Sequence, residues 1–526
     1  MSRRRTRNRG NPPQSPPPKV EHVAKGYGDA GASQTRRALK GFLADSGSPS
    51  RDIDDNNWTL RQRSRALYMG APIATSAIRT SRTNIVGTGV VPRPRIDAAY
   101  LGLTDQQADE WQDHVRREFR LWASDRRACD ALGLNDFYEL QQLAVQAWLT
   151  SGDVFALVKR SKPSALRPYT LRLHLVEADR VSTPWGYMTG TPMQLTHGTN
   201  SDTGNEVYDG VEVSPSGRVV AYHIRNGYPN EYDGKDVQWT RVLAEGLKSG
   251  QPNVLHLMES ERPDQYRGVS LLAQAIEPLR QVSRYTNAEL DAAIVQACFT
   301  AFVTTDDPTD VPFNEVGDGA GGLAGGSVSD DPNEYELGPG QVNFMQPGEG
   351  VTFADPTRPN SGFDAFMRSL AEQVGAAVEI PSDLLLKSFN ASYSASRAAL
   401  MEAWKSFRMR RQWLVNDLCR PVWELFVSEA VATGRVSAPG FFADPLARDA
   451  WLGCEWIGPS QGQLDPTKEI SAELSAITAG ITTREAAAVR INGSDWDSNV
   501  RRLARENAAL AQATNQGGAE DAPVQP

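Results

Sequence analysis

A sharp change from strand to helix lies in the middle of the chain, in the segment NVLHLMESERPDQYRGVSLLAQAIEPL that begins at Asn253. The apolar run at its start predicts a strand, and a helical pattern begins at Ser270. Between them, Pro263 lacks a backbone donor and Gly268 permits a positive φ, so the chain must change direction there. Since no acid/base pair, metal cluster or phosphate loop accompanies this hinge, it indicates a mechanical part rather than an active site. The candidate hinge residues are Arg262, Pro263, Arg267 and Gly268.

Charge is distributed unevenly along the chain. The formal net charge is −9, but residues 1–40 carry ten Lys/Arg against two acidic residues, which gives +8 there and −17 for the remainder. A basic arm on an acidic body can contact nucleic acid or an acidic protein surface. The acidic body argues against a DNA-binding protein that reads base sequence, because such proteins normally show a basic face. We therefore expect that DNA, as a partner, is guided along the protein rather than tightly bound by it.

Size and composition predict a soluble, non-secreted protein. A chain of 526 residues can bury several cores, so roughly two to four subdomains are expected. The four cysteines are far apart and form no C-x-x-C pair, which disfavours a disulfide framework or a zinc site. No apolar stretch of about 18 residues is present, so no membrane partner is expected.

The pattern of the first half predicts an α+β fold that is mainly helical. Residues 1–56 are rich in Pro, Gly, Ser and Arg and are predicted to be a disordered arm. A helical pattern then runs from Trp58 to Ile85. The next predicted elements are helices around Thr104–Trp122 and Phe137–Thr150 and strands at Val154–Lys159, Leu171–Leu175 and Val219–Ile224.

The second half alternates long helices with an extended lobe. A helix from Ser270 to about Phe302, bent near its start by Pro278, leads to a lobe with strand-like pieces at Gln341–Met345 and Val351–Phe353. A second helix follows, with the apolar stripe Phe363, Phe366, Met367, Leu370, Val374 and Ala377, and Pro381 ends it.

A polar loop at Lys387–Ser394 then precedes a third helix. Its stripe is Leu400, Trp404, Phe407, Leu414, Leu418 and Val422, and Pro421 is expected to kink it. A helical tail opens at Asp465 and reaches about Ala513, after which the chain is expected to be disordered.

Motifs that could carry chemistry have plainer explanations. Gly458–Gly462 spells G-x-S-x-G, but a proline precedes the serine and no helix follows directly, so a loop is favoured over a nucleophile elbow. The glycines of 317–326 lack the lysine of a phosphate loop. Asp52, Asp54 and Asp55 are expected to form a solvated acidic run. The six histidines are scattered, so we predict no catalytic, cofactor-binding or metal-binding residues and no cofactor.

Basic residues surround the polar loop and the start of the third helix. They are Lys387, Arg397, Lys405, Arg408, Arg410 and Arg411. Two explanations stay open: a solvated helix face with salt bridges between subunits, or contact with DNA phosphate. Phosphate contact would be independent of sequence and sensitive to salt.

The order of these elements resembles the portal proteins of lambda-type phages. The hinge ERPDQYRGVS is similar to the family's "RPGQ…RGVP", and YSASRAAL at Tyr393–Leu400 to its "NYSSxR". Further similar pieces, in the family's order, are Asn84–Arg95, Glu177–Arg180, Gly217–Ile224, Leu337–Glu349 and Leu464–Glu469. The family's Asn adjoins the Tyr, whereas Asn390 is separated from Tyr393 by two residues, which leaves the tip and length of this loop open.

The resemblance implies a structural protein without enzymatic activity. It would form a channelled ring of about twelve subunits with closed rotational symmetry at one capsid vertex. Double-stranded DNA would be packaged and ejected through the channel without sequence preference. The implied partners are the terminase, the major capsid and scaffold proteins and the head–tail adaptor. The implied location is the virion, with assembly in the host cytoplasm.

The resemblance also implies a division of the chain into named parts. These are a wing at 57–269, stem helices at 270–302 and 359–381, a clip at 303–358, a tunnel loop at 382–396, a long wing helix with its return at 397–467, a crown at 468–512 and a tail at 513–526. The implied DNA-channel residues are Lys387, Asn390, Ser392, Tyr393, Ser394 and Arg397, with Lys387 and Arg397 expected to approach DNA.

Two other classes of function stay open from the sequence. A nucleic-acid-processing enzyme subunit would need a carboxylate metal cluster or a Walker motif, and neither pattern is present. Another virion component, such as a capsid or adaptor protein, would not show this order of helix, lobe, helix and loop. The sequence leaves open the exact subunit number, the host, the tail type and the role of the basic arm.

Overall fold

The computed structural model describes residues 31–33, 36–42, 44–184, 196–229, 231, 236–297, 301–303, 342–344, 362–389, 392–462 and 465–517. The chain divides into a unit at Met1–Ser48 and a unit at Pro49–Pro526. The first unit contains a 3-10 turn at Arg37–Leu39. All the numbered elements belong to the second unit.

The helices are α1 (Asp55–Gly70), α2 (Pro72–Ile85), α3 (Ala98–Leu101), α4 (Asp105–Ala123), α5 (Arg126–Cys129), α6 (Phe137–Ser151), α7 (Ile276–Ala297), α8 (Phe363–Ala377), α9 (Ser382–Leu386), α10 (Tyr393–Leu414), α11 (Arg420–Ala432), α12 (Pro445–Leu452), α13 (Pro466–Thr478), α14 (Arg484–Asn492) and α15 (Trp496–Gly517). The strands are β1 (Val91–Pro94), β2 (Asp153–Arg160), β3 (Leu171–Glu177), β4 (His197–Thr199), β5 (Glu206–Tyr208), β6 (Val211–Val213), β7 (Val219–Arg225), β8 (Trp239–Leu243), β9 (Val254–Met258), β10 (Ala301–Val303), β11 (Val342–Phe344) and β12 (Cys454–Ile457).

Two antiparallel sheets support the hinge. The first has the order β3-β2-β9 and the second the order β4-β5-β6-β7-β8. Phe155 of β2 packs against Tyr222 of β7, with ring centroids 5.5 Å apart, in a small apolar core shared by the two sheets. The predicted strands in this region are confirmed, with boundaries shifted by at most two residues.

A larger apolar core joins helices α4 and α6 to α11. Phe119 of α4 lies against Phe426 of α11 in an edge-to-face contact, with ring centroids 5.1 Å apart. Trp122, Phe137 and Trp423 complete the aromatic cluster, and all are nearly or fully buried. Aromatic side chains contribute the most burial per residue, so this cluster fixes α4, α6 and α11 as one body.

The single helical pattern predicted from Trp58 to Ile85 is divided in two. Ala71 separates α1 from α2 with an extended backbone, φ −114° and ψ 113°. Pro72 explains the break, because a proline disfavours the helical conformation of the residue before it. The proline then begins α2, where its missing N–H costs nothing.

The predicted arm at 1–56 extends too far along the chain. Ser50–Asp54 form a π-helical turn that runs directly into α1, and the side chain of Asp54 is only 2% exposed. The expectation of a solvated acidic run is therefore wrong for Asp54. Tertiary contacts bury it, and a local pattern of three aspartates cannot indicate that.

A π-helical segment interrupts the third helix just before Pro421, where a kink was predicted. Val415–Cys419 are π-helical and separate α10 from α11, and Pro421 lies in the first turn of α11. Because Pro421 cannot donate to a preceding carbonyl, the hydrogen-bond ladder must change register there. Of the predicted stripe, Trp404, Phe407, Leu414, Leu418 and Val422 are buried.

The predictions for the stem helices, the loop and the lobe agree with the structure only in part. The first stem pattern begins with a 3-10 turn at Ala273–Ala275 before α7. The predicted loop at 382–396 contains the whole of α9 and the first turn of α10, so the irregular connection is shorter than expected. The predicted clip and the glycines at 317–326 lie outside the described residues, apart from β10 and β11, which pair in parallel.

Candidate functional site

The hinge is anchored by Arg267, whose side chain is fully buried. Its Nε and Nη2 donate to the two carboxylate oxygens of Asp153, at 2.6 and 3.1 Å. Nη2 also donates to the carbonyl of Ala178 at 2.9 Å, and Nη1 donates to the carbonyls of Val181 and Asp209. All five N–H donors of the guanidinium are thus engaged, which its fixed planar fork makes possible.

A second buried arginine completes the ionic cluster from α1. Arg61, 2% exposed, lies 3.0 Å from the carboxylate of Asp209 and donates to the carbonyl of Ser151 at 3.3 Å. Asp209 also lies 2.7 Å from Nη1 of Arg267. We call Asp54, Arg61, Asp153, Asp209, His256 and Arg267 the hinge cluster.

Charge within the hinge cluster is set by burial and by the two arginines. Burial alone would raise the pKa of Asp153, but Arg267 and Arg61 outweigh it and hold that pKa far below its usual range. Burial raises the pKa of Asp209 despite the same arginines. Burial and the negative charge of Asp209 raise the pKa of Asp54 to about 7. Burial also lowers the pKa of His256, although Asp153 opposes this.

The hinge backbone is held against the same cluster. The N–H of Gly268 donates to Asp153 at 3.2 Å, and its carbonyl accepts from the side-chain amide of Asn57 at 3.0 Å. An added Cβ on Gly268 would lie 1.9 Å from the carbonyl oxygen of Gly152. The glycine is therefore required by close backbone approach.

The expectation that Gly268 serves a positive φ is wrong. Gly268 is not among the residues with a positive φ; within the hinge that conformation belongs to Asp264, with φ 60°. A sequence pattern can indicate that a glycine is needed without showing which of its two properties, conformational freedom or lack of a side chain, is used.

The outer half of the hinge is stabilised more weakly. Arg262 pairs with Asp52 at 2.5 Å, and both side chains are more than two-fifths exposed. The side-chain oxygen of Gln265 accepts from the backbone N–H groups of Glu261 and Arg262, at 2.8 and 3.0 Å. The turn containing Pro263 is thus held by its own polar groups, and the inner half by the buried cluster.

The predicted channel residues lie at the ends of two helices. Lys387 follows α9 in the left-handed conformation, with φ 55°, and its side chain is exposed. Ser392 caps α10, accepting from the N–H of Ala395 at 3.4 Å, and its hydroxyl lies 3.3 Å from that of Ser394. The helix begins at Tyr393. Asn390 lies outside the described residues.

Arg397 contacts helix α13. Its guanidinium lies 3.6 Å from the carboxylate of Glu469, which is on α13. The charge of Arg397 is thus partly balanced within the chain, whereas Lys387 has no ion pair with the described residues.

Two of the six basic residues near the loop are structural. Arg410 is buried and pairs with Glu379 at 2.8 Å and with Glu259 at 3.4 Å. Arg411 donates to the carbonyls of Asn84 and Ile85 at 2.7 and 2.8 Å. Its side chain thereby satisfies carbonyls at the end of α2, a usual role for arginine.

Other motifs show no catalytic arrangement in the described residues. Gly458–Gly462 follow β12 as irregular chain, and the next helix begins only at Pro466. Within the described ranges of the chain, no group of three or more His, Cys, Asp or Glu is placed to hold a metal ion. No helix there is long and apolar enough to cross a membrane.

Sequence patterns marked Arg267 but none of its partners. Asp153 is 114 residues away and Asp209 is 58 residues away, so no local spacing connects them. The available signal was weak: Asp153 is a charged residue at the first position of β2, directly before a run of apolar residues. In the structure the hinge is a packed, ion-paired junction of α1, α6, β2 and the approach to α7.

The described residues thus form a mainly helical protein with small β-sheets, in which a buried ionic junction holds the hinge. A model of the lambda family of phage portal proteins matches residues 35–411. The chain therefore belongs to that family, whose members are structural proteins of the virion's portal vertex.

Individual relatives agree with the family over most of the chain. The chain is 24% identical over 454 residues to Portal protein B of Escherichia phage lambda, covering 82% of this chain and 80% of the relative. It is 23% identical over 483 residues to the portal protein of Escherichia phage N15, covering 89% and 87%. It is 23% identical over 503 residues to a probable portal protein of Halomonas phage phiHAP-1, covering 94% and 89%.

Solved structures give a more distant likeness. The chain is similar to a chain from the neck of a native gene transfer agent particle, with 13% identity and a TM-score of 0.36, covering 82% of this chain and 92% of that one. A chain from the virion of such a particle gives 15% identity and a TM-score of 0.35, with the same coverage.

Proposed function

We propose that this chain forms the ring-shaped channel at one capsid vertex through which double-stranded DNA is packaged and later ejected. The family match over residues 35–411 carries the proposal, and the relatives named portal protein extend it along most of the chain. In this role the chain is a head–tail connector without enzymatic activity. It docks the terminase first and the head–tail adaptor afterwards, and contacts scaffold and major capsid proteins during assembly in the host cytoplasm.

The ring is proposed to contain about twelve subunits with closed rotational symmetry, in which each subunit presents two different faces to its neighbours. The wing corresponds to 57–269 and the stem helices to 270–302 and 359–381. The clip is 303–358, the tunnel loop 382–396, the long wing helix with its return 397–467 and the crown 468–512. Negative-stain microscopy of the purified protein tests the ring directly: channelled particles of roughly twelvefold symmetry are expected, and a stable monomer would contradict the proposal.

Within the channel, Lys387 and Arg397 are proposed to approach the DNA. Lys387 supports this because it is exposed at a loop and has no ion pair in the described part of the chain. The acidic body would repel phosphate weakly, so that DNA slides while a few cations steer it. Charge reversal at both positions should therefore impair packaging and leave the ring intact.

Arg397 needs a control for its contact with Glu469. Arg397→Glu breaks that 3.6 Å ion pair, whereas the double variant Arg397→Glu/Glu469→Arg restores a pair with the charges exchanged. A DNA role requires both variants to package poorly. Recovery of packaging in the double variant would show that Arg397 acts only by holding α13. Lys248→Glu, at an exposed position outside the loop and α10, serves as the matched control.

A further inference from the structure

A strongly basic groove lies between α4 and α15, away from the hinge and the tunnel loop. Its volume is about 630 Å³, and its lining includes six arginines but a single carboxylate, Asp113. The arginines are Arg116, Arg117 and Arg120 on α4 and Arg501, Arg502 and Arg505 on α15. Because the chain as a whole is acidic, such a concentration of one residue type needs an explanation.

Ion pairs among the described residues account for only two of the six arginines. Asp113 pairs with Arg116 at 3.3 Å and also with Arg501, which joins the two helices. Asp495 pairs with Arg116 from the other side, at 3.5 Å. These contacts hold the groove together and neutralise its base.

The other four arginines remain available to a ligand. Arg117, Arg120, Arg502 and Arg505 are exposed, and none forms an ion pair with a carboxylate in the described ranges. Four guanidiniums at one groove repel one another unless an anion lies between them. Arginine without lysine also indicates bidentate recognition, which suits phosphate and carboxylate oxygens.

Spacing favours a repeating anion over a single carboxylate. The four available arginines form two rows, Arg117 with Arg120 and Arg502 with Arg505, and each row spans three residues, or about 4.5 Å. Phosphates on one strand of duplex DNA follow one another every 3.4 Å or so along the axis, so each row faces roughly two of them. A groove of about 630 Å³ has room for one phosphate strand, with the rest of the duplex outside.

We propose that the groove between α4 and α15 binds the phosphate backbone of double-stranded DNA, at a site separate from the tunnel loop. This inference rests on the proposed function, which brings DNA to the protein. Binding is independent of sequence, since only the sugar-phosphate backbone reaches the arginines.

The test uses the full chain and a fluorescently labelled duplex of about 20 base pairs, with anisotropy measured over a range of salt. Arg117→Gln/Arg120→Gln/Arg502→Gln/Arg505→Gln removes the four unpaired charges and leaves Asp113 and its partners in place. We expect at least tenfold weaker binding at low salt. The plot of log K against log salt should become shallower by about 0.9 for each phosphate that the variant no longer neutralises.

A matched control removes the same charge elsewhere. Arg63, Arg126, Lys162 and Lys248 are exposed and form no ion pair in the described chain. The quadruple variant Arg63→Gln/Arg126→Gln/Lys162→Gln/Lys248→Gln should change the affinity for the duplex only slightly. Arg502→Gln/Arg505→Gln alone, on an exposed helix face, provides a milder variant whose folding is checked by circular dichroism.

Several results would overturn the proposal. These are no binding by the wild-type protein, equal reductions of affinity in the groove and control variants, failure of the groove variant to form a ring, or a groove that binds a poly-glutamate probe but not the duplex. Failure of the groove variant to form a ring would show that the groove is a contact between subunits. Binding of poly-glutamate but not of the duplex would show that the groove is a site for an acidic protein. The portal function fails separately, through absence of a ring or of packaging by the wild type.

Discussion

Replacing Arg267 with methionine tests whether the hinge is an ionic junction. The change removes five donated hydrogen bonds and leaves Asp153 and Asp209 buried, with Arg61 as their remaining cation. Removing one partner of a buried ion pair costs about 3–5 kcal/mol, because the remaining charge is left uncompensated. Since Arg267, Asp153 and Asp209 are at most 3% exposed, little water can reach these groups to reduce that cost.

Hydrogen exchange measured by mass spectrometry is the suitable assay, because it reports the stability of each segment of the chain separately. A local destabilisation of 3–5 kcal/mol accelerates exchange by roughly 10²- to 10⁴-fold in peptides that cover β2 and the hinge. Arg262→Met is the matched control, since its pair with Asp52 is largely exposed and should contribute about 0–1 kcal/mol.

The double variant Arg267→Met/Asp153→Asn separates the effect of the ion pair from the effect of the arginine side chain. Its cost should be smaller than the sum of the two single costs, because the charge that Arg267 balanced is also removed. Equal exchange rates in Arg267→Met and Arg262→Met, or strict additivity in the double variant, would refute the reasoning.

Three further outcomes are expected. Gly268→Val should prevent ring assembly, because its Cβ would lie 1.9 Å from the carbonyl oxygen of Gly152. Gly227→Ala, whose Cβ would meet no atom within 4 Å, should form normal rings by negative-stain microscopy. A ring formed by Gly268→Val would contradict the close packing at this position. Because the pKa of Asp54 is raised from 3.8 to about 7, Asp54 keeps a proton in the folded state that the unfolded state releases. As the pH rises from about 4 to 7, the free energy of unfolding should therefore decrease by at most roughly 4 kcal/mol. Asp54→Asn should flatten the pH dependence of thermal melting over this range, and an unchanged pH dependence would contradict the assignment. Arg411→Met should lower the melting temperature, whereas Arg408→Met, at an exposed position, should not; equal effects would show that the contacts of Arg411 with α2 contribute nothing.

Local patterns in the sequence were sufficient for the longer helices and for five of the strands, β2, β3, β7, β9 and β11. The breaks at Pro72 and Pro421 show why, since proline acts through its own ring and missing N–H. The apolar stripe of α10 and α11 was also readable, because helical period and burial coincide there. The order of elements and the resemblance to lambda-type portal proteins were likewise present in the sequence.

Only the tertiary structure decided what the hinge is. The sequence marked Arg267 and Gly268, but their functions depend on Asp153, Asp209 and Gly152, which lie far away along the chain. Burial of Asp54 and the meeting of two arginine rows on α4 and α15 have the same cause. Long-range electrostatics and close backbone approach depend on which parts of the chain come into contact in the fold. The amino-acid sequence gives the residue types but not those contacts.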